Sequence, residues 1–385
     1  MSKLSENVVL FSQGAYGCIF MEDVTVQGKK ENPKFIKKVQ KRKETSDNEK
    51  NIGKEVKKIN NYTNYFAPIE ESSRVELSST DSNEIKKCEF ITDEKKEFET
   101  NKIRFVGEHS LANYLNLLSK REKNANTFLE TFLDTYSHLC EGVSKLSKKK
   151  IVHMDLKENN IVFDEKRKVP IIIDFGLSRE IEKDNAKDIF FVYGPDYSPW
   201  CFDISFLTYI CNELGEDWES KILDEAIMSQ TINDFLISNE GVKALLNENQ
   251  RGILKQNLEN EMKTYVNYEG KKVYEMLIKK SNSWDNYSLA VIFLYILRLM
   301  SNEIIEGNDL IKTLKKVLIN IIVDNQNRQT ADETIKELYK EFSSKSKESA
   351  KLLVDEFKKE FTPEKYNART LMLLETKQKT ERKNN

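Results

Sequence analysis

The stretch Ile151–Glu180, IVHMDLKENNIVFDEKRKVPIIIDFGLSRE, constrains the fold more than any other part of the chain. Two apolar runs, Ile161-Val162-Phe163 and Ile171-Ile172-Ile173, flank a charged turn from Asp164 to Lys168, which is the pattern of a strand pair. Both ends of this hairpin carry polar groups at fixed spacing. His153-Met154-Asp155-Leu156-Lys157-Glu158-Asn159-Asn160 precedes the first strand, and Asp174-Phe175-Gly176 directly follows the second.

These residue types fit the transfer of a phosphoryl group. Magnesium prefers oxygen ligands and keeps several waters, and Asp174 and the carboxamide of Asn160 can supply two oxygens from opposite ends of the hairpin. Asp155 can orient a hydroxyl and accept its proton, while Lys157, two residues on, points the same way and can neutralise charge on the moving group. The two motifs, in order and joined by this hairpin, resemble the H-R-D-L-K-x-x-N catalytic loop and D-F-G magnesium motif of eukaryotic-type protein kinases. The resemblance implies an α+β, bilobal protein kinase fold, with a small antiparallel β-sheet lobe over residues 1–107 and a larger, mainly helical lobe over 108–340. It also implies an ATP- and Mg2+-dependent enzyme that transfers the γ-phosphate to Ser/Thr hydroxyls of protein substrates, because in that family a lysine at the position of Lys157 accompanies serine/threonine specificity.

Further candidates lie upstream. Val8-Val9-Leu10-Phe11 and Cys18-Ile19-Phe20 flank Ser12-Gln13-Gly14-Ala15-Tyr16-Gly17, a strand-turn-strand whose glycines let backbone N–H groups approach phosphates. It resembles the kinase glycine-rich loop with Ser12 in place of the first glycine, so Ser12, Gly14, Tyr16, Gly17 and Ile19 are candidate nucleotide contacts. The strand Lys34–Val39 should carry the phosphate-gripping lysine. Alternation would put Phe35 in the cleft with Lys37 but Ile36 with Lys38, which favours Lys38 over Lys37. A helix over roughly 46–60 places Glu49 on a stripe with Ile52, Val56 and Ile59, making Glu49 the partner of that lysine and Glu55 the alternative. Gly53 stands where the family has a large apolar residue, so this helix is expected to pack loosely. Phe66-Ala67-Pro68-Ile69 reads as a strand, Cys88-Glu89-Phe90-Ile91 as strand-like, and Lys102–Gly107 as the last strand of the small lobe, with backbone groups near Arg104 to Val106 meeting adenine.

In the second half, Phe128, Phe132, Tyr136, Leu139, Val143 and Leu146 recur at helical spacing, and Trp284-Asp285-Asn286-Tyr287-Ser288 opens the most apolar helix. The latter resembles the family segment whose aspartate caps the catalytic loop from below, and Asn327–Glu333 resembles the late R-x-T-A-x-E signature. Three departures stand out. Met154 replaces the arginine that holds a phosphorylated loop in many relatives, so activation by loop phosphorylation is not expected. No A-P-E follows Asp174-Phe175-Gly176, leaving Asp196 or Asp203 to pair with Arg328. Some eighty residues separate Trp200 from Trp284, a predicted helical insertion at about 204–281, where peptide substrates normally dock. Residues 341–385 read as a helix and charged tail, mobile from about Thr362.

Composition narrows the function classes. A formal net charge of -2 gives no basic field for nucleic acid, and no apolar run is long enough to span a bilayer. The N-terminus lacks the pattern of a signal peptide, and five scattered cysteines predict reduced thiols in a cytoplasmic protein. The Gly-Ala-Tyr-Gly-Cys-Ile-Phe loop and the Tyr-Gly-Pro-Asp-Tyr-Ser-Pro-Trp segment resemble divergent kinases of large nucleocytoplasmic DNA viruses. That resemblance implies a host-cytoplasmic protein and a candidate for packaging in virions. Two other functions compete: a kinase-like small-molecule phosphotransferase, and a nucleotide-binding pseudokinase scaffold. Oligomeric state and substrate sequence do not follow from the residues.

Overall fold

Short alternating strands and turn residues build the first hundred residues, and long apolar-striped helices build the rest. A computed structural model describes residues 8–14, 17–22, 24–26, 29–31, 33–41, 44–75, 83–89, 91, 98–121, 125–299 and 308–344. The small lobe runs β1 (Val8–Gly14), β2 (Gly17–Glu22), a ribbon of β3 (Val24–Val26) and β4 (Lys29–Glu31), β5 (Phe35–Lys41), helix α1 (Glu44–Lys57), β6 (Phe66–Ala67), β7 (Ile69–Val75), α2 (Asn83–Lys86) and β8 (Phe98–Arg104). Five of these strands form one antiparallel sheet in the order β1-β2-β5-β8-β7. At Gly17 an added Cβ would lie 2.3 Å from the Val39 carbonyl oxygen, so β2 can meet β5 there only as glycine.

The two faces of the sheet differ in chemistry. One buries Val8, Cys18, Phe20, Val39, Val75 and Phe98 against Ile85 and Cys88. The other carries Lys38, Gln40, Glu99 and Asn101, all buried, and meets α1. That polar row explains why β8 starts at Phe98 and not at Lys102: its inward positions are Glu99 and Asn101, which hide the apolar alternation. The expected strand at Cys88–Ile91 is absent. Cys88 and Ile91 instead close turns, with Cys88 N–H donating to Ile85 O at 3.1 Å and Ile91 N–H to Cys88 O at 3.0 Å; Phe90 lies outside the described residues. The expectation of reduced thiols also fails at one pair, because Cys18 and Cys88 form a disulfide across 70 residues of sequence, while Cys140, Cys201 and Cys211 are free and buried. Nor is α1 loosely packed at Gly53, where an added Cβ would already touch Pro68 Cβ at 3.5 Å.

The large lobe follows with α3 (Leu111–Arg121), α4 (Ala125–Lys148), β9 (Ile151–Val152), the hairpin β10 (Ile161–Asp164) and β11 (Val169–Ile173), β12 (Arg179–Glu180) and α5 (Ala186–Ile189). In the hairpin Ile161 opposes Ile172 and Asp164 opposes Val169. Asp164 Oδ1 accepts from the N–H groups of Lys166 and Arg167, both at 3.1 Å, which closes the charged turn. β11 also pairs in parallel with β6, Ile172 opposite Phe66, and so ties the hairpin to the small lobe. The stretch between Trp200 and Trp284 is helical, as expected: α6 (Phe202–Glu213), α7 (Glu225–Ser238), α8 (Glu240–Leu245), α9 (Glu248–Met262) and α10 (Gly270–Leu277). Then come α11 (Trp284–Leu299), α12 (Asp309–Val323) and α13 (Ala331–Ser344). α11 is the axis of the core; Tyr136 and Phe132 of α4 pack on its Phe293 at 4.8 and 5.2 Å. Residues 345–385, including the tail beyond Thr362, lie outside the described residues.

Candidate active site

Two clusters of side chains converge on the hairpin. The first joins three elements. Lys38, on β5, points its ammonium to Glu49 of α1, at 3.2 and 3.1 Å from the two carboxylate oxygens, and to Asp174 Oδ1, at 2.9 Å. Burial alone would depress the lysine, but the two carboxylates overcome it and hold its pKa above the ordinary value. Burial would likewise raise Asp174, and the Lys38 ammonium instead pulls it below the usual carboxylate range. Glu49 is pushed up by burial and by Asp174 despite the same ammonium. One cation against two carboxylates leaves the cluster net negative, which suits a divalent cation. Lys37 pairs across the strands with Phe20 and Lys102, not with Lys38's neighbours, and Glu55 forms an ion pair with Lys58 at 2.6 Å.

The second cluster is the loop between β9 and β10. Asp155 is buried, and Lys157 Nζ donates to its two oxygens at 2.9 and 3.1 Å. Asn160 Nδ2 donates to Asp155 Oδ2 and to the Asp155 carbonyl, both at 2.8 Å. Both amide hydrogens are thus used on Asp155, and among the described residues no donor reaches Asn160 Oδ1, which is the atom a cation would need. The loop is fastened from below. Asp285, at the start of α11, accepts the backbone N–H of His153 at 3.1 and 2.9 Å, and burial raises its pKa against the pull of His153. His153 Nε2 meets the Ile173 carbonyl at 3.1 Å, and Ser178 Oγ donates to the His153 carbonyl at 3.1 Å, so the loop and the Asp174 segment are held together. Met154 and Asp174 both adopt left-handed backbone, with φ of 64° and 62°, uncommon for a methionine and better tolerated by an aspartate.

The remaining candidates divide. Ser12, Ile19, Lys38 and Asn101 stand opposite one another on β1, β2, β5 and β8, forming one row across the sheet. Gly14 and Gly17 close the turn beside them as a strand pair, and Tyr16 lies outside the described residues. Arg104 ends β8 with its guanidinium turned to the carbonyls of Thr63 and Phe66, at 2.8 and 3.2 Å. Val106 follows in the connection to α3, where an added Cβ on Gly107 would lie 2.5 Å from the Phe163 carbonyl oxygen. Of the two partners weighed for Arg328, Asp203 is the one: Nη1 donates to its Oδ2 at 2.8 Å, both side chains buried.

The protein kinase domain model matches residues 7–199, just over half the chain. The chain belongs to the protein kinase family. No curated protein matches it. The match covers β1 through the segment before α6, and so contains both clusters of the kinase; Asp285 and Arg328 lie beyond it. Enzymes of this family generally use ATP and Mg2+. Among the described residues no group of three His, Cys, Asp or Glu could hold a metal, and no helix is long and apolar enough to cross a membrane. Asp174 and Asn160 are the residues that would hold Mg2+, an ion that takes oxygen ligands and keeps several waters.

Several contacts of the kinase's site were not legible as motifs. Asn48 of α1 donates to the Ser178 carbonyl at 2.9 Å, Trp200 Nε1 donates to the Met154 carbonyl at 2.8 Å, and the Tyr197 hydroxyl donates to Asp155 Oδ1. For Tyr197 and Trp200 the signal in the sequence is the density of rings and prolines in Tyr193–Trp200; Asn48 has none.

Proposed function

We propose that this kinase transfers the γ-phosphate of ATP to serine or threonine hydroxyls of protein substrates. The observation that carries the reading is the Asp155–Lys157–Asn160 cluster, in which a buried carboxylate is held by a lysine at 2.9 Å and by an amide whose free oxygen faces away from it. Asp155 orients the acceptor hydroxyl and takes its proton as the new O–P bond forms and the bond from the γ-phosphorus to the β-phosphate oxygen breaks, ADP leaving with the electron pair. Lys157 offsets negative charge on the transferred group, and its presence beside Asp155 supports serine/threonine acceptors over tyrosine. Lys38, fixed by Glu49, grips the α- and β-phosphates, with Ser12, Gly14, Gly17 and Ile19 over the nucleotide and the Arg104–Val106 backbone at its base; Tyr16, a candidate from the sequence, lies outside the described residues. Asp174 and Asn160 would hold magnesium, which when bound would supply charge neutralisation to the phosphates. A cavity of about 330 Å³ beside the loop, lined by Leu156, Lys157, Pro199, Glu240 and Tyr295, supports docking of a polypeptide next to Asp155. The viral branch and a host-cytoplasmic location rest on the sequence resemblance, and following the tagged chain in infected cells tests both.

The deciding experiment is transfer from labelled ATP with Mg2+ to casein, myelin basic protein and histone, by wild type and Asp155→Asn, with identification of the phosphoamino acid. Loss of a general base is expected to lower turnover by about 10²- to 10⁴-fold. Equal transfer by both proteins would overturn the mechanism. Bound ATP without transfer to any protein would favour a small-molecule acceptor or a scaffold.

A further inference from the structure

The carboxylate of Asp155 has no free position. A carboxylate offers about four lone-pair sites on two oxygens. Oδ1 receives Lys157 Nζ at 2.9 Å and the Tyr197 hydroxyl; Oδ2 receives Asn160 Nδ2 at 2.8 Å and Lys157 Nζ again at 3.1 Å. An acceptor hydroxyl can reach Asp155 only by displacing one of these donors. Lys157 and Asn160 belong to the same loop as Asp155 and have their own tasks in transfer. Tyr197 comes from outside it, 42 residues on, and presents what an acceptor presents, an O–H aimed at the carboxylate.

We propose that Tyr197 is an intramolecular occupant of the acceptor site, its hydroxyl standing at Asp155 Oδ1 where a substrate hydroxyl must stand, so that acceptors bind in competition with it. The inference rests on the phosphotransfer reading of Asp155. The occupant is held by more than its own bond. Its ring packs edge-on against Trp200 with centroids 5.2 Å apart, and Trp200 is tied to the catalytic loop through Met154. Asn239, buried between α7 and α8, donates through Nδ2 to the carbonyls of Pro195, Tyr197 and Trp200 at 3.3, 3.1 and 3.4 Å. Glu240 N–H donates to the Asp196 carbonyl at 3.2 Å. The helical block after α6 therefore sets where Tyr197 sits.

Tyr197→Phe removes the hydroxyl and keeps the ring. The ring must still swing aside for an acceptor, but it then breaks no bond to a charged group, a bond of the kind that shifts an equilibrium by about ten- to a hundred-fold. The test is transfer from labelled Mg-ATP to casein over a range of casein concentrations by full-length wild type, Tyr197→Phe and Asp155→Asn. We expect Tyr197→Phe to lower the KM for casein by about tenfold or more, with the KM for ATP unmoved. A melting temperature raised by Mg-ATP as in wild type shows that the variant is folded. An unchanged KM for casein, or a lower kcat at the same KM, would overturn the proposal and make Tyr197 a support of Asp155. Silence of both wild type and Tyr197→Phe with ATP bound would overturn it as well, since removing the occupant should expose activity. Transfer that is equal in Asp155→Asn and wild type would instead sink the phosphotransfer reading on which the proposal stands.

Discussion

Replacing Lys38 by methionine probes the buried charge cluster before any substrate is known. The Lys38 ammonium sits between Glu49, whose side chain is 5% exposed, and Asp174, whose side chain is 37% exposed. Taking the cation away leaves Glu49 as a buried carboxylate with a like charge beside it, and breaking a buried pair from one side costs about 3–5 kcal/mol. Solvent screens Asp174, so Glu49 carries most of that loss. The loss must then depend on pH. Glu49 is already raised above its ordinary 4.5 by burial and Asp174, and without the opposing pull of Lys38 it rises further. A carboxyl raised in the folded state adds stability that is fully present below its unfolded pKa and is lost as pH rises through the folded one. Lys38→Met should therefore melt close to wild type at about pH 5 and fall behind by about 3 kcal/mol or more at about pH 8. Adding Glu49→Gln to Lys38→Met should recover most of the deficit at the higher pH. Urea unfolding at both pH values, for the single and double variants, measures this. A deficit that is the same at both, or under about 1 kcal/mol, would refute the picture of a buried carboxylate held by one lysine.

Two further outcomes follow from buried groups away from the cleft. His138 of α4 is buried, its Nε2 2.8 Å from the Asn64 carbonyl, and burial pushes its pKa down to about 4 against the pull of Glu141. Its folded pKa lies below the unfolded value, so stability is whole above about pH 6.5 and falls by about 3 kcal/mol as pH drops toward 4; His138→Gln should flatten that slope in acid unfolding, and an unaltered slope would exclude His138 as its source. The Cys18–Cys88 disulfide closes a loop with a sequence separation of 70, which the chain-entropy relation values at about 4 kcal/mol as an upper figure. Reduction should lower the melting temperature of the small lobe and Cys88→Ser should reproduce the reduced protein, while an oxidised wild type that melts like Cys88→Ser would deny the bond any stabilising role.

What the sequence revealed depended on whether a position's partners lay nearby in the chain. The β10–β11 hairpin, its charged turn and the groups at its ends were legible because the turn and both strands fit within thirty residues. Alternation on one strand was enough to favour Lys38, and a helical stripe was enough for Glu49. β8 was half missed because Glu99 and Asn101 face inward, paired with Gln40 and Lys50 among others, and buried polar rows imitate surface. The turn at Cys88 was misread as strand since its apolar residues serve a disulfide and a short helix, neither of which has a periodic signature. Tyr197 stayed hidden for a plainer reason. Its contact spans 42 residues, and nothing in the spacing of a tyrosine says which carboxylate it will meet.

By the sequence resemblance Met154 takes the place of an arginine that grips a phosphorylated loop in many relatives, and what surrounds Met154 is a different set of ties. The side chain is buried, and its carbonyl receives the indole N–H of Trp200 at 2.8 Å. Trp200 is in turn fixed by Asn239, and Ser288 of α11 donates to the Pro199 carbonyl at 2.7 Å. Neutral hydrogen bonds hold the segment from Pro195 to Trp200, and a phosphate added to it would introduce charge without a guanidinium to meet it at Met154. The left-handed backbone at Met154 and Asp174, each worth about 1–3 kcal/mol of strain, is held by the same ties and by Asp285 beneath the loop. The segment that orders the catalytic loop is thus the segment that carries Tyr197. Asp285 and Ser178 fasten the loop independently of that segment, so whatever moves α7 and α8 against residues 194–200 should change access to Asp155 before it loosens the loop itself.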